Sequence, residues 1–403
     1  MLMSLALLLL FGFLGKRLAE TFRFPGIVGM VAAGMLLGPN GFGWLEAPLL
    51  NISADLRTLA LIIILLRAGL GLQRETLNAV GVTALKLGSI PCLLEGTAVM
   101  LLGRWMWGLS WVDAGMLGFV IAAVSPAVVV PAMLRLRDSG FGSDKRIPTL
   151  ILAGASLDDV FAITLFSAFL GMSVTQGAAG IWTELIRLPL NIIFGTLGGA
   201  LVGFLLLMLY RSKHFNVRNT EKLVLLMATA MIYYSFGSQL GWASLLGIMA
   251  AGLLILEYRP KTARQFSHKL NGVWVFAEIS LFGLVGAAVN VSLAWEAGFV
   301  GLFVILGGLF VRSAAVWLAT RGTHLSTRER WFCAVAYWPK ATVQAAVGGV
   351  PLAMGVASGE LILAVAVLAI IVTAPLGAFA IEWTAERWLQ AAAELGESGE
   401  GNV

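Results

Sequence analysis

The chain has 403 residues, 59% of them hydrophobic and only 12% charged, with a mean hydropathy of +0.89. Soluble domains carry about 25% charged residues, so a soluble enzyme or a disordered chain is excluded and a protein that crosses the membrane many times is expected. The net charge of +5 would invite nucleic acid in a soluble protein, but here the basic residues collect in short loops between apolar runs, which marks membrane topology and no nucleic-acid partner.

In chain order the apolar runs define about thirteen spans of roughly 20 residues. They cover 2–15, 24–40, 55–72, 78–103, 111–134, 148–172, 185–210, 221–238, 242–257, 272–291, 297–319, 330–354 and 360–384. The first is followed by Lys16 and Arg17 with no small-residue cleavage site, which predicts a retained helix and not a signal peptide. Alternate loops are rich in Lys and Arg, among them Arg135, Arg137, Lys145, Arg146, Lys261 and Arg264, while the intervening loops hold little beyond Arg57, Arg104 and Arg187. The positive-inside rule then puts the N-terminus outside and the C-terminus in the cytoplasm. Residues 386–403 are expected to form a short cytoplasmic tail. The expected fold class is all-α, a polytopic membrane protein.

Two spans carry breaks. The fifth reads FVIAAVSPAVVVPAML, with Pro126 and Pro131; the twelfth reads FCAVAYWPKATVQAAVGGVPLAMG, with Pro339 and the pair Gly348-Gly349. Proline removes a helix hydrogen bond and clashes with the carbonyl four residues back, and in lipid the freed groups need partners, so such breaks line sites. Seven spans separate the two, so they run in opposite senses, as interrupted crossing helices of inverted repeats do when they bind cargo at the midplane.

The sixth span holds adjacent aspartates in GASLDDV, Asp158 and Asp159. A carboxylate at the bilayer centre costs roughly 2.5–3.5 kcal/mol or more. Glu95, Arg312 and Lys340 are further intramembrane charges. Buried charges pair, and three acids against two bases leave one carboxylate over. Neighbouring helix residues point about 100° apart, so one aspartate should meet a base and the other should face the cavity. Arg67 and Lys86 read as snorkelling residues.

A carboxylate stripped of water holds its proton more tightly, so a proton and a hard cation compete for the same oxygens near neutral pH. The hydroxyls of Ser125 or Ser156 and the carbonyls freed near Val124 are further candidate ligands for such a cation. One site exposed alternately to each side is then an antiporter.

The strings FRFPGIVGMVAAGMLLGP, LLRAGLGL, PCLLEG, AAVSPAVVVPAM, GASLDDV, LFGLVGA and WPKATVQAA follow one another along nearly the whole chain. Together they resemble the monovalent cation:proton antiporter superfamily. Within it they are similar to the paired-aspartate branch of bacterial sodium/proton antiporters and the animal sodium/hydrogen exchanger B subfamily. The resemblance implies an elevator-type homodimer in a lipid bilayer, the inner membrane of a bacterial cell. A transport core of about 78–172 and 297–385 would move against a dimer scaffold of about 1–77 and 211–296, with a linking helix at about 185–210, all in one membrane domain over 1–385. It implies that Asp159 is the cation and proton carboxylate and Asp158 its charge-paired neighbour. Glu95 with Arg312 would be a structural ion pair, and Lys340 with Gln344 would stabilise the interrupted helix. No cofactor is implied beyond the transported Na⁺ or Li⁺ and H⁺. Arg312 stands where many charge-moving members carry a lysine, and arginine does not release a proton. Ala288 stands where relatives can carry an acid, which takes a partner from Lys340, and Glu278 is about three turns too early to replace it.

The rival of the same architecture is a sodium-coupled symporter of a small organic anion, which would want a wider polar cavity. An intramembrane aspartyl protease needs aspartates that converge from separate helices, and no GxGD string occurs. Cys92 and Cys333 read as buried hydrophobes, the histidines at 214, 268 and 324 as loop residues, and Trp105, Trp107, Trp111, Trp242, Trp295 and Trp338 as interfacial anchors.

Overall fold

Apolar runs this long must satisfy their backbone groups internally, and helices do so. The computed structural model describes residues 1–22, 24–71, 74–174, 181–212, 217–289 and 298–390, and every regular element among them is helical. In order they are α1 (Leu2–Thr21), α2 (Gly26–Leu37), α3 (Ala47–Asn51), α4 (Ser53–Gly71), α5 (Arg74–Trp107), α6 (Trp111–Ala122), α7 (Pro126–Asp138) and α8 (Ile147–Val174). Then follow α9 (Ile181–Arg211), α10 (Asn219–Gln239), α11 (Ser244–Tyr258), α12 (Pro260–Ala288) and α13 (Gly298–Ala319). The last four are α14 (Thr327–Ala336), α15 (Thr342–Val347), α16 (Val350–Ala353) and α17 (Gly359–Trp388).

Eight stretches among the described residues are long and apolar enough to cross a bilayer, and Gly26–Leu37, Ser244–Tyr258 and Thr342–Ala353 are apolar but shorter. The protein is an integral membrane protein. The helices gather into two packing groups. In one, α5 lies against α6, α8 and α13, with α14 and α17 closing the group; in the other, α1, α2, α4, α9, α11 and α12 pack together. A thinner seam joins them, where α8 touches α9 and α11 and α15 touches α4 and α12.

Close packing inside the second group depends on glycine. Gly29 opposes Gly15 across α1 and α2, and Gly34 opposes Gly283 across α2 and α12; a Cβ at either would run into backbone. Small residues of this kind let apolar helices approach in lipid, where burial of apolar surface gives no drive. Gly81 bends α5 with φ 49°, a conformation glycine adopts without a Cβ penalty. The membrane part of α5, which carries Glu95, therefore starts after that bend.

Candidate ion-binding site

The site is built by two helix interruptions that face each other. α6 ends at Ala122, and the chain runs extended through Ala123 and Ser125 before α7 restarts at Pro126. Proline suits that first helical position, where its missing N–H has no intrahelical partner to lose. α14 ends at Ala336, Pro339 lies in the gap, and α15 restarts at Thr342. The Ser125 N–H donates to the Pro339 carbonyl at 2.8 Å, and the Ser125 and Thr342 hydroxyls share a hydrogen bond of 2.9 Å. Pro131 corrects the reading of the fifth span: it lies inside α7 and breaks nothing. It is exposed, so the ring bulk and lost bond fall on the outside of a helix already restarted at Pro126.

The carbonyls left at the end of α6 find side-chain donors from the other interruption. Gln344 donates through Nε2 to the carbonyls of Val120 (2.8 Å) and Ala123 (2.9 Å). Ala122 O accepts from Arg312 Nη1 and, at 3.4 Å, from Lys340 Nζ. The Lys340 N–H is itself bound to Thr373 Oγ1 on α17 at 2.9 Å.

Four charges fill the space behind the interruptions, all fully buried: Glu95 on α5, Asp158 on α8, Arg312 on α13 and Lys340. Arg312 forms ion pairs with Glu95 and, through Nη2 at 2.6 Å, with Asp158 Oδ1. Lys340 Nζ meets Glu95 Oε2 at 2.7 Å, so its partner is Glu95. Glu278 is engaged elsewhere, with Lys16 at 2.9 Å. Asp158 Oδ2 accepts the Val124 N–H at 2.8 Å. Two carboxylates thus balance two cations, and desolvation is offset by mutual contact.

Asp159 stands apart from this account. Its residue is partly exposed where Asp158 is fully buried, yet its Oδ1 is buried and has no hydrogen-bond partner among the described residues. The α-helix explains the split, because one residue's rotation turns the second carboxylate away from Arg312. An unmatched buried acceptor is costly, and either a proton or a hard cation would satisfy it. Ser125 places its hydroxyl against Thr342; the Ser156 side chain lies outside the described residues. Among those residues no group of three His, Cys, Asp or Glu side chains is placed to hold a resident metal ion.

Tyr337, Thr342 and Thr373 join the site without having been singled out. The Tyr337 ring lies 5.2 Å from Arg312 Cζ, and its buried hydroxyl has no partner among the described residues. Thr342 carried a usable signal, a hydroxyl residue three positions after the proline of an interrupted span. Tyr337 carried none, since an aromatic in an apolar string is ordinary. Trp338 is corrected from interfacial anchor to a residue of the interruption, where its Nε1–H donates to Ser313 at 2.9 Å.

Paired helix interruptions around a balanced ion cluster define the class: a helical membrane transporter with a charged site inside the bilayer. The family model described as sodium/hydrogen exchanger, transmembrane, matches residues 5–387. Sodium/hydrogen exchanger 9B2 of Mus musculus is 33% identical over 395 residues, spanning 91% of this chain and 69% of the relative. Sodium/hydrogen exchanger 9B1 of Homo sapiens is 34% identical over 393 residues, spanning 91% of this chain and 74% of the relative. The sodium proton antiporter MjNhaP1 of Methanocaldococcus jannaschii shares the fold, with a TM-score of 0.76 at 20% identity over 95% of this chain and 97% of that one. The chain belongs to the sodium/hydrogen exchanger family. The organic-anion symporter reading loses its footing here, since the relatives are exchangers.

Proposed function

We propose that the protein is a secondary antiporter that exchanges a monovalent cation, Na⁺ or Li⁺, for H⁺ at Asp159. The observation that carries the reading is the unequal fate of the two aspartates: Asp158 is consumed by Arg312 and the Val124 N–H, whereas Asp159 Oδ1 has no partner among the described residues. With the four charges behind the interruptions balanced, the occupant of Asp159 sets the charge of the site. A proton neutralises it, a cation replaces the proton, and the two never bind together; alternate exposure then couples their fluxes. Arg312 keeps its charge throughout, so Glu95 and Asp158 stay held while Asp159 cycles. Ser125 supplies a hydroxyl oxygen beside the interruption.

The finer architecture belongs to the same proposal. About thirteen spans arranged as inverted repeats, with α5 to α8 and α13 to α17 as the moving core, fit the opposed interruptions and the thin seam. The remaining helices would form a scaffold that pairs with a second copy. Loop charge favours an outside N-terminus and a cytoplasmic C-terminus in a cell membrane, with the bacterial inner membrane as the setting. The test is cation-triggered collapse of a pH gradient in sealed vesicles, comparing wild type with Asp159→Asn across Na⁺, Li⁺ and K⁺. A saturable response in wild type alone supports the proposal; equal responses in both, or none to any cation, refute it.

A further inference from the structure

Arg57 lies on α4, in the second packing group, with only 7% of its surface exposed. Its Nε–H donates to the Ser53 carbonyl at 3.3 Å, but its buried Nη1 has no hydrogen-bond partner among the described residues. No acidic side chain pairs with it among those residues. A guanidinium carries five N–H donors and always its charge, so its burial here calls for a reason. What it packs on belongs to the other group. A Cβ built on Gly349, in the turn between α15 and α16, would overlap Arg57 Nη1 and stand 3.1 Å from Cζ. A side chain at position 349 would have to push the tip of the guanidinium off that seat.

Farther along the same seam, Leu65 of α4, Thr164 of α8 and Met249 of α11 line one small cavity. Thr164 follows Asp159 along α8, toward the same end of that helix as Val174. By loop charge this is the outer half of the membrane, the half in which Arg57 also lies.

We infer that the seating of Arg57 on Gly349 is a contact specific to the closed outer seam, one that forms in the state described and parts when the core moves. This rests on the division into moving core and scaffold proposed above. The contact is steric and specific to one state, and the unmatched Nη1 keeps that state from becoming a trap, because parting gives the donor access to water. A side chain at position 349 therefore penalises the closed outer seam and shifts the population toward the open one.

The experiment uses Thr164→Cys as a reporter in the purified full-length protein in detergent, labelled with a charged thiol reagent. Thr164 is 7% exposed, and the native Cys92 and Cys333 are fully buried, so background labelling is low. Adding Gly349→Ala is expected to raise the labelling rate severalfold, since the new methyl group displaces the guanidinium tip in the closed state and not in the open one. Adding Arg57→Ala to that protein is expected to return the rate to near its starting value. Unchanged labelling in a folded Gly349→Ala protein overturns the inference, as does a rise that Arg57→Ala fails to reverse. Should Gly349→Ala not fold, Arg57→Trp overfills the same contact from α4 and is expected to give the same rise; no rise overturns the inference. Wild-type exchange in vesicles is measured alongside. Absent cation response there refutes the proposed function, whereas normal exchange with unaltered labelling refutes the closure alone.

Discussion

Arg312 binds Asp158 at 2.6 Å and leaves Asp159, the next residue, without a cation among the described residues. The same guanidinium holds Glu95 and the last carbonyl of α6, so one side chain joins α5, α6, α8 and α13. Fixing the first aspartate is what frees the second. Each carboxylate acquires its role from the helix rotation between them and from an arginine 154 residues away in the chain.

Replacing Asp159 by Asn removes the charge that a cation needs and leaves the ion cluster untouched. Exchange is expected to fall to background, with the melting temperature within a few degrees of wild type. Asp158→Asn differs, because it strips Arg312 of a buried partner and is expected to lower both exchange and melting temperature. Vesicle exchange and thermal unfolding, measured on both variants, check the contrast; matching profiles for the two would contradict it.

Arg312→Ala is expected to harm stability more than any single carboxylate change. It leaves Asp158 without its cation and Glu95 with Lys340 alone, and breaking a buried pair costs roughly 3–5 kcal/mol. A melting temperature unchanged from wild type would disprove this.

Much of this was legible in the sequence because lipid makes polar residues conspicuous. Asp158, Asp159, Glu95, Arg312 and Lys340 stood out as charges in apolar runs, and Pro126 and Pro339 mark the interruptions where α7 and α15 restart. What composition left open was pairing. Lys340 finds Glu95 across 245 residues, a contact fixed by how α5 meets the second interruption. Pro131 misled because proline reports a lost hydrogen bond without reporting which side of the helix loses it. Arg57 read as an outer-loop charge since its burial depends on Gly349, remote in sequence.

The exchange is expected to move one H⁺ per cation and no net charge. Arg312 cannot give up a proton, and a proton lost from Lys340 would leave the buried pairs out of balance. Transport under a clamped membrane potential checks this: a rate that changes with the imposed potential would show a second proton carrier.

On the side of the basic loops, Lys145 before α8 meets Glu329 in the first turn of α14 at 2.9 Å, and the Ser326 N–H also donates to Glu329. Burial works to raise the Glu329 pKa, but the hydrogen bonds from Lys145 and Ser326 prevail and hold it below the ordinary carboxylate value. A lowered folded pKa gives stability that is present above the unfolded value and lost as pH falls through the folded one. Glu329→Gln is therefore expected to lower the melting temperature at neutral pH, with the difference shrinking below about pH 4. A difference that persists undiminished into acid would show that packing, not charge, accounts for it.

Tyr337 separates two contributions in one side chain. Its ring lies against the Arg312 guanidinium, a contact of about 2 kcal/mol for a desolvated cation. Its hydroxyl is a buried donor without a partner among the described residues, pressed against Gly154 one turn before Asp158. Tyr337→Phe keeps the ring and removes an unsatisfied group, so stability is expected to hold or rise slightly. Tyr337→Leu removes the face that Arg312 rests on and is expected to lower the melting temperature. Exchange rates divide the cases further. If the hydroxyl takes part in the cycle once the core moves, Tyr337→Phe shifts the pH profile of exchange at unchanged stability. A profile that overlays wild type assigns the hydroxyl no part and leaves Tyr337 acting on Asp158 only through the ring and Arg312.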